Sequence, residues 1–135
     1  MQSLTPILSA RDVDAALVFY RDVLGFTVDY KLKDGAGKIA RAGLSCGAVR
    51  LMLCADSGHS DPSTARLGRN AQYGGGVELY FQAREVDGLY REFAARGARV
   101  QGPPEDRLTG HRTFVVIDLD NHRLEFAAPT SAAAA

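Results

Sequence analysis

The sequence predicts an α+β protein made of two tandem βαβββ modules, which together form a curved sheet or open barrel with helices outside. Two observations carry this prediction. The chain repeats itself, since residues 10–14 read Ala-Arg-Asp-Val-Asp and residues 83–87 read Ala-Arg-Glu-Val-Asp. Each copy also follows a short apolar segment and opens a stretch of helical periodicity, after which strand-like segments follow.

The first module covers residues 1–55, with strands expected near 4–9, 26–33, 38–46 and 48–54. Its helix carries Val13, Ala16, Leu17, Tyr20 and Leu24 at spacings that give one apolar stripe. Asp12 stands near the helix start, where negative charge suits the dipole. Gly25 follows the helix end, where a left-handed cap favours glycine. The second module covers residues 76–128, with strands near 76–82, 98–101, 112–118 and 122–127. Its helix repeats the design with Val86, Leu89, Tyr90 and Phe93, with Glu85 at the start and Gly97 past the end. Residues 56–75, rich in Gly, Ser, Asp and Asn, read as a linker. The segment 102–110 contains Pro103-Pro104 and is excluded as a central strand. Residues 129–135 read as a disordered tail. Modules of this size are poorly stable alone, so pairing them in one domain is expected.

Composition excludes several function classes. Sixteen Lys and Arg balance sixteen Asp and Glu, which gives no basic field for nucleic acid. No apolar run has the length of a membrane span. The start lacks a basic segment leading into an apolar core, so no secretory signal is expected and a cytoplasmic location is. Cys46 and Cys54 match no CxxC or zinc spacing and read as reduced thiols in apolar surroundings.

Strand alternation sorts the faces. Val49, Leu51 and Leu53 share one face of their strand, opposite Arg50, Met52 and Cys54. Val77, Leu79 and Phe81 share one face of theirs, opposite Glu78, Tyr80 and Gln82. The apolar sets are expected beneath the helices. The mixed sets, with the repeat-related positions Thr5 and Glu125 and with Arg123, are expected to line a cavity. Such a surface, partly apolar with a few polar groups, suits a small molecule. Glu78 and Glu125 are candidates for anchoring a cation. Cross-strand pairing with Arg50 and Arg123 is the structural alternative of equal weight. His111 lies just before a strand near the expected cavity mouth and is a candidate ligand contact or acid–base group. His59 and His122 stand in loop contexts. Of the aromatics Tyr30, Tyr73, Tyr80 and Phe114, alternation favours Tyr80 as a ligand platform. Gly74-Gly75-Gly76 reads as a flexible link, because no helix follows it as a phosphate loop would require.

Residues 5–13, Thr-Pro-Ile-Leu-Ser-Ala-Arg-Asp-Val, with Phe19-Tyr20 and Leu24-Gly25-Phe26, resemble the opening of glyoxalase/bleomycin-resistance (vicinal-oxygen-chelate) proteins. The run 114–126, with Asp118-Leu119-Asp120-Asn121 and Glu125, resembles that family's Asp-Pro-Asp-Gly-Asn-x-x-Glu ending. Asn121 replaces the glycine there and tolerates a left-handed turn. The resemblance implies paired βαβββ modules in a homodimer. In metal enzymes of the family, ligands stand at positions corresponding to Thr5, Met52, Glu78 and Glu125. Only the two glutamates are good donors for a divalent metal, so no cofactor is expected. The opening looks closest to the family's drug-sequestering members, although the chain lacks tryptophan and the Pro-Trp-Gly those members often carry. The expected function is therefore binding of a small aromatic or cationic compound such as an antibiotic, without catalysis. The alternatives are a metal-dependent lyase, isomerase or dioxygenase using Glu78 and Glu125 with His111, and a structural or regulatory dimer with a vestigial cavity.

Overall fold

Each copy of the repeat leads into a helix in the computed structural model, which describes residues 1–55 and 73–130. Most of the expected linker, His59 and residues 131–135 lie outside the described residues. The chain divides into two units, Met1–Tyr73 and Gly74–Ala135.

The first unit runs β1 (Ile7–Ser9), α1 (Val13–Val18), a π-helical turn (Phe19–Val23), β2 (Thr27–Lys33), β3 (Ile39–Cys46) and β4 (Val49–Cys54). Its sheet has the order β1-β4-β3-β2. Strand β1 lies parallel to β4, and the other neighbours are antiparallel. The five predicted stripe residues, Val13, Ala16, Leu17, Tyr20 and Leu24, are all buried. Asp12 caps α1 by accepting from the Ala15 N–H at 3.1 Å. The π-turn was not legible in the apolar spacing. The Leu24 N–H reaches back five residues to the Phe19 carbonyl at 3.3 Å. This wider turn brings consecutive aromatics inward, and Phe19 and Tyr20 are both buried with their rings edge to face, 5.4 Å apart.

The second unit runs β5 (Glu78–Gln82), α2 (Asp87–Ala95), β6 (Arg99–Val100), β7 (Glu105–Asp106), β8 (His111–Ile117) and β9 (Arg123–Pro129). Its order is β5-β9-β8-β6, with β7 also on β8 and β5 parallel to β9. Strand β7 falls in the segment predicted as loop, but it holds only two residues at the margin of β8, where a nearby proline is tolerated. Strand β9 continues through Pro129, beyond its predicted end. Glu85 repeats the role of Asp12 by accepting from the Gly88 N–H at 2.8 Å. Gly88 permits this, since a Cβ there would collide with the Glu85 carboxylate.

Phe81, Phe93, Phe114 and Phe126 form the aromatic core of this unit, with ring centroids 4.9 to 6.1 Å apart along the cluster. Tyr90 meets Phe114 edge to face at 5.6 Å. The face carrying Phe114 and Phe126 is thus the one beneath α2. Val77 departs from its predicted apolar set: it precedes β5 and is exposed. Cys46 is exposed rather than apolar-packed, whereas Cys54 is buried.

Asn121 takes the left-handed conformation expected of it, with φ 68°. The turn around it is held by Asp118, whose Oδ1 accepts from the Asp120 N–H at 2.9 Å and the His122 N–H at 2.8 Å. Gly74 is not a free link. It has φ 83°, and a Cβ on it would fall on the Asn121 carbonyl, so the chain enters β5 pressed against the β8–β9 turn.

The start of α2 is pinned to the sheet by Arg112. Its guanidinium grips both Asp87 carboxylate oxygens at 3.0 Å and reaches Asp106 at 3.1 Å. This bidentate contact holds the Asp87 carboxyl below the usual carboxylate range.

Two outcomes follow from this packing. Phe114→Ala is expected to cost about 3–5 kcal/mol in chemical denaturation, because the ring is fully buried against Tyr90, Phe93 and Phe126. Asp87 has a lowered folded-state pKa, so its stabilising effect is full at neutral pH and is lost as pH falls through that lowered value. The Tm difference between the wild type and Asp87→Asn is therefore expected to be largest at neutral pH and to shrink as pH falls through and below the usual carboxylate range. A difference that grows in acid would contradict this assignment.

Candidate functional site

Each sheet has one face turned to its own helix and one turned away, and the sequence-predicted site residues belong to the second. In the first unit, β1, β4, β3 and β2 contribute one cross-strand row: Ile7 pairs with Met52, Met52 with Gly43, and Gly43 with Tyr30. Gly43 makes room for the aromatic, since a Cβ there would fall on the Tyr30 ring. Ile7, Tyr30 and Leu32 are exposed and Met52 is half-buried. The row is therefore an apolar, deformable surface. Arg41 brings a guanidinium to it, with Nη1 4.0 Å from the Met52 sulfur.

Thr5 is half-buried just before β1. Among the described residues Arg50 does not meet a carboxylate. Its Nη1 donates to the Gly47 carbonyl at 2.9 Å and the Val49 carbonyl at 3.2 Å, which ties it to the β3–β4 turn. Cys54, predicted on this face, is fully buried and offers no surface.

In the second unit the equivalent row is Tyr80, Glu125 and Val115. Its chemistry is different. Tyr80 is about half exposed, and its ring meets the His111 ring edge-on at 6.5 Å. His111 begins β8 rather than preceding it. Its Nδ1 is buried and is the one such side-chain atom without a hydrogen-bond partner among the described residues. Gln82 is exposed at the end of β5, paired with Ala127.

The two glutamates have separate fates. Glu78 accepts from Arg123 Nε at 2.8 Å, and Arg123 also donates from Nη1 to Gln101 Oε1 at 3.0 Å. The cross-strand pair therefore neutralises Glu78. Glu125 is half-buried and has neither a hydrogen bond nor an ion pair among the described residues. It is the free carboxylate of this face among the described residues. Phe114 is excluded as a ligand platform by its burial, and Tyr73 is buried with Arg11 stacked 4.6 Å from its ring centre.

The family's metal positions fall on Thr5 and Met52 in the first unit and on Glu78 and Glu125 in the second. A hydroxyl and a thioether are poor donors for the divalent metals such sites hold, and Glu78 is engaged by Arg123. Among the described residues no three His, Cys, Asp or Glu side chains gather as a metal site would require. The residues at these positions do not fit the metal.

Sequence reasoning missed Arg41, Arg112 and the seating of Tyr30 on Gly43. The alternation Arg41-Gly43-Ser45 on β3 carried the first and third of these. Nothing in the spacing joined Arg112 to Asp87.

The geometry agrees with comparisons to known proteins. The family model of the Glyoxalase/Bleomycin resistance protein/Dioxygenase superfamily matches residues 4–126, and the chain belongs to that superfamily. A bleomycin resistance protein of Geobacillus stearothermophilus is 30% identical over 132 residues, covering 93% of this chain and 95% of the relative. Among solved structures, TioX from Micromonospora sp. ML1 has a TM-score of 0.75 at 23% identity, covering 96% of this chain and 100% of that one. The bleomycin-binding protein of Streptomyces verticillus, complexed with copper(II)-bleomycin, has a TM-score of 0.65 at 24% identity, covering 96% and 98%. A lactoylglutathione lyase from Agrobacterium tumefaciens has a TM-score of 0.70, also at 24% identity, covering 95% and 94%. At these identities the structural likenesses establish the fold alone. Among the described residues no helix is long and apolar enough to cross a membrane.

The Glu78–Arg123 pair is partly exposed on both sides. A double-mutant cycle on it is expected to give a coupling below about 1 kcal/mol. A coupling several times larger would mean that the pair is a structural centre rather than a surface neutralisation.

Proposed function

We propose that the protein binds and sequesters a small cationic compound with an aromatic part, such as an antibiotic, without transforming it. The observation that carries the reading is Glu125, a half-buried carboxylate free of partners among the described residues and paired in register with a half-exposed tyrosine. A carboxylate beside an aromatic face attracts an ammonium or guanidinium through charge and cation–π contact together. Relatives named for bleomycin resistance and bleomycin binding make a bleomycin-type glycopeptide the first compound to test.

The competing reading is a metal-dependent lyase, isomerase or dioxygenase. It would need Glu78 released from Arg123 and further donors recruited. The mismatch at Thr5 and Met52 weighs against it.

A thermal-shift screen separates the two. Metal-free bleomycin, a panel of other cationic antibiotics, and Mn, Fe, Ni and Zn salts are tested separately. A ligand at a hundred times its Kd is expected to add roughly 2.7 kcal/mol of stability. Tyr80→Ala is expected to weaken the drug by about 1 kcal/mol, roughly fivefold in Kd. A metal shift with no drug shift would overturn the sequestration reading.

A further inference from the structure

The second unit holds a groove on the opposite side of its sheet from Tyr80 and Glu125. Arg112 and Phe114 alternate with His111 along β8, so Arg112 faces α2 while His111 faces away. Around Arg112 lies an open cavity of about 700 Å³, within the size range of small-molecule sites. Three arginines, Arg84, Arg107 and Arg112, and three carboxylates, Glu85, Asp87 and Asp106, line it, with Pro129 beside them.

Most of these charges are already committed. Arg112 holds Asp87 and Asp106. Arg107 binds Glu105 and the Thr113 hydroxyl, and Glu85 caps α2. Arg84 has no partner among the described residues, and it is exposed. The repeat gives this a meaning. Arg84 occupies in the second copy the place of Arg11 in the first, and the Arg11 guanidinium carbon lies over the Tyr73 ring, 4.6 Å from its centre. One copy of the repeated arginine therefore carries a phenol ring, and the other stands bare at a groove.

We infer that this groove is a second ligand site, for an uncharged planar phenol that stacks on Arg84 as Tyr73 stacks on Arg11. A guanidinium plane favours an electron-rich ring. The equal numbers of lining cations and anions select against a ligand with net charge. The phenolic O–H has carboxylate oxygens to donate to at Glu85 and Asp106, which keep unused lone pairs. The inference stands apart from the reading of the Glu125 face.

The test is NMR titration of the full chain with 2-naphthol, following backbone amides and arginine Nε–H signals. The expected result is saturable shifts at Arg84 and at residues 85–88. Arg84→Ala weakens the affinity about fivefold or more. Arg84→Lys, which keeps the charge but loses the plane, weakens it similarly, and Tyr80→Ala leaves it unchanged. Naphthalene-2-carboxylate and naphthylmethylamine bind more weakly than the phenol. No saturable binding, shifts confined to the Tyr80 face, full affinity in both Arg84 variants, or equal affinity for the charged probes would each overturn the inference.

Discussion

The structure depends on the parallel pairing of the first and last strands within each unit. Ile7 lies beside Met52 as Tyr80 lies beside Glu125. That register decides which residues share a face, because a slip of one residue would send every side chain to the other side. It is fixed by what the helices bury. Leu8 and Leu53 are buried in one unit, and Phe81 stacks on Phe126 in the other. Once those pairs are committed to the helix side, Met52 and Glu125 have no choice but the opposite one.

The repeat uses this scaffold for two different surfaces. At equivalent positions the first unit offers isoleucine, methionine and a tyrosine seated on glycine. The second offers tyrosine and an unpaired carboxylate. The faces beneath the helices are apolar in both units, at Leu8 and Leu53 in one and at Phe114 and Phe126 in the other, whereas the open sides differ in chemistry. The charged groove at the start of α2 comes from the same asymmetry. Arg112 is paired with Ala128 on one sheet, whereas the corresponding pair in the first unit is Ala40 with Ala55.

Much of this was legible in the sequence because it depends on local periodicity. Both helices, the acidic residues Asp12 and Glu85 near their starts, and the left-handed Asn121 follow from spacing and residue type. The alternation also placed Glu78, Tyr80 and Gln82 together. What alternation could not show is partnership. Glu78 and Glu125 look alike in the sequence, yet the register puts Arg123 beside Glu78 and Val115 beside Glu125. Arg50 seemed to mirror Arg123, but its guanidinium donates to the carbonyls of the tight turn next to it. The π-turn escaped because an inserted residue breaks the 3.6 period on which the stripe was read. Val77 escaped because β5 begins one residue after it, at Glu78.

The division between the two glutamates is the claim on which the account stands, and calorimetric titration of one cationic ligand against two variants tests it directly. Metal-free bleomycin is titrated into Glu125→Gln and Glu78→Gln. The account predicts that removing the Glu125 charge weakens binding about tenfold or more, in line with loss of a charge-assisted contact. Removing the Glu78 charge should change it by less than about threefold, since Arg123 already neutralises it. Equal losses in the two variants, or a greater loss in Glu78→Gln, would contradict it.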